Sequence, residues 1–386
     1  MGRATRILHA SDWHLGKTLE GRSRLPEQEA YLDEVVRLAA DVDLVLIAGD
    51  VFDVYNPPID AEQLYFETLA RLGERGRRHV VVIAGNHDSP DRIAASAPLA
   101  ALHGVHVVGR PTDAPVELDL PGGRVVVAAL PYPSEARLRT LLSQALKEDA
   151  LQAAYSTKVA AVLAELATHF DPGATNVVMS HLQVRACLQS ESERALIGGA
   201  YQVDASIFPA SADYVALGHL HRAQDVPAGL TAVRYCGAPL PYRFSERDVE
   251  RTHTIVEVGS TTTVHTVPID AGRDLVVWEA GSFAEVLAGV EDGWHADAFI
   301  DLGIHLDRPL THDQLAILRR LPRDFVRLRA LLPAAEDRTP RDQRLDLAPA
   351  ELFTAFYRDQ TGSDPDSGIV DLFLELATDV LEAGEG

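Results

Sequence analysis

The sequence predicts a layered α/β domain with parallel and antiparallel strands, then a small second α/β unit, then short amphipathic helices. Three observations predict it. Short apolar runs alternate with helical spacing through the first third of the chain. Three of those runs stop at a small residue followed by a polar one, at Ser11-Asp12, Gly49-Asp50 and Gly85-Asn86. The strand and helix pattern then restarts beyond Gly272. At 386 residues the chain has room for two or three domains, one of them large.

Taken in order, Arg6–Ala10 reads as a short strand, and Gln28–Ala40 as a helix through Leu32, Val35, Val36 and Ala39. Asp43–Ala48 is a continuous apolar run, as expected of a strand buried on both faces. Ala61–Leu72 is a second amphipathic helix, and His79–Ala84 the next buried strand. In open α/β sheets a ligand site lies outside the carboxyl ends of the strands. The middle reads as more antiparallel: Val105–Val108, Val116–Leu120 and Val125–Leu130 are short and broken by Gly, Pro and Asp. A helical region follows over Ser134–Thr168, then strands at Asn176–Ser180, Tyr214–Leu217, Val233–Cys236 and His253–Val258. This layered domain extends to about residue 270. Strands at Leu275–Trp278, Phe299–Leu306 and Phe325–Leu332, separated by helical Phe283–Val290 and His312–Leu321, make the second unit, 271–338. Residues 339–386 carry the terminal helices. Leu352, Phe353 and Phe356, then Ile369, Leu372, Phe373, Leu376 and Val380, form apolar stripes without a core of their own.

Composition narrows the class. Hydrophobic content of 46% and charged content of 24% exclude disordered, collagen-like and coiled-coil chains. No apolar run reaches the ~18 residues of a membrane helix, and the N-terminus lacks the apolar stretch of a signal peptide. Two cysteines, Cys187 and Cys236, exclude a disulfide framework or a thiolate zinc site and point to a reducing cytoplasm. The net charge of −22 argues against nucleic acid on bulk charge alone.

Five segments carry the chemistry: Asp12-Trp13-His14, Gly49-Asp50-Val51-Phe52-Asp53, Gly85-Asn86-His87-Asp88, Ser180-His181 and Gly218-His219-Leu220-His221. Each sits at the end of a strand. They supply nitrogen and oxygen donors without thiolate, a set suited to Mn²⁺, Fe or Zn²⁺ rather than Ca²⁺. Seven donors exceed what one metal needs, but a pair sharing a bridging carboxylate uses them all. Two such metals can activate water and stabilise both oxygens in phosphate-ester hydrolysis. Singly, each segment has a plainer reading. Asp-x-His makes capped turns, Asp starts helices as an N-cap, and Gly-Asn tolerates left-handed turns. His-x-His at a strand end is the stronger sign, because alternate strand residues share a face. All five together, in this order and at strand ends, outweigh those readings. The ten remaining histidines, among them His9, His79, His103, His106, His169 and His253, read as packing or surface residues.

The ordered set resembles the calcineurin-like metallophosphoesterase superfamily. Within it, SDWHLGK (11–17), GNHDSPDR (85–92), SHL (180–182), ALGHLHRAQ (216–224) and RYCGAPLPYRFSE (234–246) are similar to the SbcD family, nuclease subunits of bacterial SbcCD complexes. The resemblance implies two mixed sheets sandwiched between helices (the metallophosphoesterase fold), with a small α/β cap domain and C-terminal helices. It implies one metal held by Asp12, His14, Asp50 and His221, and a second by Asp50, Asn86, His181 and His219, with Asp50 bridging. His87 matches the catalytic histidine, Asp88 is expected to orient it, and Asp53 to support a ligand. The two ions implied are divalent, Mn²⁺ foremost.

The resemblance also implies the substrate and partners. These are ATP-dependent 3′-to-5′ exonuclease action on duplex ends, endonuclease action on single strands and hairpins, and a homodimer within a heterotetramer with the ABC-type ATPase SbcC. No phosphate-loop motif occurs in the chain, so ATP dependence must come from another one. The terminal helices are expected to bind the SbcC coiled coil. Arg22, Arg24, Arg92, Arg185 and Arg194 flank the ligand loops, but a solvated or acid-paired state comes first for each. The alternative substrate is a non-DNA phosphate ester, cleaved by a calcineurin-like phosphatase or phosphodiesterase. A binding module with a relic site would not need to keep His87 and every ligand. The acidity is densest in the last 46 residues, which are assigned to a protein partner rather than to DNA.

Overall fold

The structure, a computed structural model, describes residues 4–112, 114–133, 148–190, 193, 201–227, 232–332, 349–361, 364–366, 368–370 and 373. It divides into two compact units, the first made of 1–304 with 310–330, the second of 305–309 with 331–386.

The first unit is built on two six-stranded sheets. One runs in spatial order Thr262–Pro268, Thr252–Val258, Thr5–Ala10, Leu44–Ala48, His79–Ile83, Val105–Val108. Its last four strands are parallel, and the first two join antiparallel. The other runs Gln224–Val226, Ala232–Tyr235, Tyr214–Gly218, Thr175–His181, Gly123–Leu130, Val116–Leu120. Ile7, Leu44, Leu46, Val81 and Ile83 of the first sheet meet Val125, Val127, Val177, Met179 and Ala216 of the second, forming the inter-sheet core. Helices Leu25–Ala39 and Ile59–Gly73 cover the outer face of the first sheet through Leu32, Val35, Tyr65 and Leu69. Helix Glu148–Ala167 covers the outer face of the second through Tyr155, Val159, Leu163 and Leu166.

The expectation of a more antiparallel middle is corrected in part: Val116–Leu120 does pair antiparallel with Gly123–Leu130 across the turn at 121–123. The second sheet is parallel across its four inner strands and antiparallel only at its two edges. Val105–Val108 belongs instead to the first sheet, parallel to His79–Ile83. Short strands punctuated by Gly and Pro resemble hairpins in sequence. Only Gly123–Leu130 is buried along most of its length, between a helix and the opposite sheet, and it pairs parallel with Thr175–His181, as such a setting favours. The edge strand Thr262–Pro268 was not anticipated, because its half-exposed, threonine-rich run offers little apolar signal. Part of the expected helical region, 134–147, lies outside the described residues.

A three-stranded sheet of Leu275–Ala280, Phe299–His305 and Asp324–Leu331 carries helices Phe283–Glu291 and His312–Leu318. Ser282 caps the first helix by accepting the Glu285 N–H at 3.2 Å. Thr311 and Gln314 form a capping box on the second. Leu275 and Phe299 pack with Leu19 and Phe244, and Phe299 lies under the guanidinium of Arg273 at 4.1 Å. In the second unit, helix Pro349–Thr361 places Phe353 in a parallel stack with Phe373, 4.2 Å between centroids. Leu352, Phe356 and Ile369 are exposed. Leu372, Leu376 and Val380 lie outside the described residues.

Candidate metal centre

The carboxyl ends of both sheets meet at one edge, where His181 Nδ1 lies 2.8 Å from the Ala48 carbonyl. The loops leaving Ala10 and Ala48 run side by side: the N–H groups of Asp12, His14 and Leu15 donate to the carbonyls of Gly49, Asp50 and Val51 at 3.0, 3.0 and 2.9 Å. This pairing turns the chain tightly, and four of the seven expected ligands have left-handed backbone: Asp12 (φ 53°), His14 (45°), Asp50 (49°) and His219 (105°). Such residues cost on the order of 1–3 kcal/mol each, and they concentrate where function over-determines the backbone. Gln28 braces the loop, donating to the His14 carbonyl at 2.7 Å and accepting the Gly16 N–H at 3.1 Å. Tyr242 adds a hydroxyl on the Trp13 carbonyl at 2.6 Å.

All seven expected ligands converge and are buried. Donor atoms of Asp12, His14 and His221 lie within 4.8 Å of one another, as do those of Asp12, Asp50 and His181, and those of His14, Asp50 and His87. His14 Nε2 and His221 Nε2 are 3.1 Å apart. Asn86 Oδ1 lies 2.9 Å from His181 Nε2 and 2.8 Å from His219 Nδ1, and Asp50 Oδ2 lies 3.4 Å from His181 Nε2.

The far sides of the ligands are held as well. The Ala48 carbonyl takes His181 Nδ1 and leaves Nε2 facing the cluster. Asp53 Oδ1 sits 3.4 Å from His14 Nδ1, an ion-pair contact longer than a normal hydrogen bond, and takes the Lys17 ammonium at 2.6 Å. Glu246, buried and fixed by the Tyr242 N–H at 2.8 Å, lies 3.8 Å from His221 Nδ1. Glu193 accepts the backbone N–H of His221 at 2.7 Å.

A donor set of this kind fits divalent cations. Two imidazole nitrogens in contact, His14 and His221, must share a proton or a cation, and Asn86 Oδ1 offers lone pairs to two further imidazoles.

The chain matches the calcineurin-like phosphoesterase family over residues 5–223. It is 42% identical to SbcD of the nuclease SbcCD from Bacillus subtilis, over 98% of this chain and 99% of that one. The chain belongs to the SbcD family. The SbcD proteins of Rhodobacter capsulatus and Escherichia coli K12 are each 32% identical, covering 91% and 80% of this chain and 94% and 78% of theirs.

Family membership leaves the roles to be read from geometry. His87 is partly exposed at the rim, its ring edge-on to His14 at 4.7 Å. Its Nδ1 lies 2.6 Å from the Asp53 carbonyl, and its N–H donates to Asp50 Oδ1 at 2.8 Å. The expectation for Asp88 is corrected. Its carboxylate accepts the N–H groups of Val51, Phe52 and Gly85 at 3.1, 2.9 and 2.8 Å, pinning the two ligand loops together. The orienting contact on His87 comes from Asp53. Arg24 takes the acid-paired state expected first: it is fully buried, paired with Glu27 and bonded to the Pro241 carbonyl at 2.7 Å. Arg92 pairs with Glu62 at 2.8 Å and Arg185 with Asp204 at 3.2 Å, Arg22 is exposed, and Arg194 lies outside the described residues.

The electrostatics follow from burial against close opposite charge. Burial alone would raise Asp50, but His181, His14 and His87 outweigh it and hold the carboxyl well below its usual range. Burial would strip the proton from His181, yet Asp50 and Asp12 raise it to about 9. Burial raises Asp12, with His181 and His221 opposing. It lowers His14 and His219 to about 3 each. His221 is raised despite burial, by Glu246 and Asp12.

Glu246, Glu193, Gln28 and Tyr242 had no assigned role in the sequence reading. Ser11 and Lys17 adjoin ligands in the chain, so proximity was a usable signal for them. Tyr242 and Glu246 lie within the RYCGAPLPYRFSE segment (234–246) that carries the resemblance, whereas Gln28 and Glu193 reach the site without any comparable signal.

Proposed function

We propose that this chain is the nuclease subunit of a two-component DNA-processing complex. It hydrolyses phosphodiester bonds with two divalent cations, Mn²⁺ foremost. The reading rests on the convergence of seven buried donors with His87 at their rim, in a chain of the SbcD family. Asp12, His14, Asp50 and His221 would hold one cation, and Asp50, Asn86, His181 and His219 the other. Cations bound there supply Lewis-acid activation of water and neutralise phosphate charge. The chain's own residues do the rest. Asp50 is kept ionised by three histidines. The strained loops fix the ligands before substrate arrives. His87, tethered through Nδ1 to the Asp53 carbonyl, keeps Nε2 free to orient the phosphate and, as imidazolium, to protonate the departing oxygen.

The substrates in this reading are duplex ends, cut 3′ to 5′ with ATP, and single strands and hairpins, cut internally. The chain falls into a nuclease domain (1–270), a cap (271–338) and terminal helices (339–386). Exposed Leu352, Phe356 and Ile369 support docking of the last on the coiled coil of the ATPase SbcC. Exposed Phe66, Leu99 and Leu102 support a homodimer within a heterotetramer. Among the described residues no helix is long and apolar enough to cross a membrane, in keeping with work on DNA in the cytoplasm.

The test is Mn²⁺-dependent cleavage of a linear duplex and a hairpin, with and without SbcC, beside p-nitrophenyl phosphate. Unchanged DNA cleavage by His87→Ala and Asp50→Ala would refute the mechanism. Fast phosphomonoester hydrolysis that ignores DNA would point to a phosphatase. Undiminished capture of SbcC by a chain ending near residue 340 would remove the terminal helices from the interface.

A further inference from the structure

We propose that Ser11 and Cys236 form a hydrogen-bonded chain that positions the Asp12 carboxylate for the metal centre. The inference rests on the reading of Asp12 as a metal ligand.

Ser11 Oγ donates to Asp12 Oδ2, and Cys236 Sγ lies 3.0 Å from that same Oγ. Both side chains are buried, Ser11 at 1% exposure and Cys236 at 4%. A hydroxyl has one proton. With that proton committed to the carboxylate, the contact with sulfur requires the thiol to donate. The order is therefore Cys236 S–H to Ser11 Oγ, then Ser11 O–H to Asp12 Oδ2. The other acceptor near the sulfur, the Gly237 carbonyl, is farther away at 3.7 Å. Burial raises the Cys236 thiol well above its ordinary range, so it keeps its proton and its donor character through neutral pH.

The same carboxylate accepts the His219 N–H, at 3.1 Å from Oδ1 and 3.2 Å from Oδ2. Three segments thus grip one side chain: the end of Thr5–Ala10, the turn after Tyr214–Gly218 and the residue after Ala232–Tyr235. Asp12 itself sits on left-handed backbone at φ 53°, in the loop tied to Gly49. A buried free cysteine usually acts as a small apolar group. Here its sulfur faces a hydroxyl whose remaining lone pairs need a donor. Partners of this kind, one bond beyond the ligand, typically set metal affinity by about 10–100-fold.

The test measures Mn²⁺ affinity of the full chain from the electron paramagnetic resonance signal of free Mn²⁺, with near-UV circular dichroism to confirm folding. Cys236→Ser keeps a donor, and Cys236→Val keeps bulk without one. Ser11→Ala should weaken binding about 10–100-fold. Cys236→Val should weaken it at least about threefold, while Cys236→Ser stays within about threefold of the parent. Because Cys236 acts through Ser11, adding Cys236→Val to Ser11→Ala should cost nothing more. The proposal is overturned if Cys236→Val leaves affinity unchanged, or if its effect persists in the Ser11→Ala background, which would mark a packing role. Equal Mn²⁺ binding by the parent and by Asp50→Ala would instead bring down the metal reading, and this inference with it.

Discussion

Gly85→Ala isolates the geometry of the bridging carboxylate. A Cβ on Gly85 would lie 2.1 Å from Asp50 Oδ1 and 2.3 Å from the Asp50 backbone nitrogen. Rotation of the Asp50 side chain relieves the first contact but not the second, so one ligand loop must move off the other by roughly 1 Å. Displacement on that scale costs about 100-fold in rate when reacting groups are prealigned, or ~2.7 kcal/mol of barrier. Asp50 Oδ1 also receives the His87 N–H, so the same shift disturbs the rim histidine. Overpacking of this kind destabilises by about 1–3 kcal/mol, which leaves the chain folded. The assay pairs Mn²⁺-dependent hydrolysis of bis-p-nitrophenyl phosphate with thermal unfolding by circular dichroism. We expect activity at or below about 1% of the parent and a melting point lowered by only a few degrees. Gly123→Ala is the control: its φ of 128° strains alanine, but its Cβ meets nothing within 4 Å, so stability should fall while activity holds. A Gly85→Ala chain within threefold of parental activity would refute the claim that this approach sets the site.

Further outcomes follow from the same structure. His87→Ala should lower kcat by about 10²–10⁴ and leave Mn²⁺ affinity near the parent's, because the rim histidine lies outside the expected ligand set; titration calorimetry separates the two. Mn²⁺ at about 100 times its Kd should add ~2.7 kcal/mol of stability, a gain that Asp50→Ala should abolish in thermal melts. His9, bonded to Tyr214 Oη at 2.8 Å, is lowered by burial to about 3. A depressed histidine contributes stability that is present above the unfolded value near 6.5 and is lost as pH falls below it. Stability should drop by on the order of 1 kcal/mol per pH unit through that window. Urea titrations of His9→Gln should show a flatter profile between pH 4 and 6.5, and a profile parallel to the parent's would contradict the assignment.

The strands that end in Ser11-Asp12, Gly49-Asp50 and Gly85-Asn86 were legible in the sequence, because a strand buried on both faces must be a continuous apolar run. The ligand types were legible too, since polar residues at the end of such a run have little structural reason to recur. What the chain order could not carry was pairing. Strand direction in the second sheet depends on which distant strand lies alongside: Gly123–Leu130 is antiparallel to its sequence neighbour Val116–Leu120 but parallel to the distant Thr175–His181. The burial of Arg24 against Glu27 and the grip of Asp88 on two loops were likewise decided in three dimensions. So were the approaches of Glu246 to His221 and of Cys236 to Ser11. A single residue's chemistry is local and can be read from the sequence. Its proton, its orientation and its partner depend on groups hundreds of residues away, which only the packed sheets bring within bonding distance.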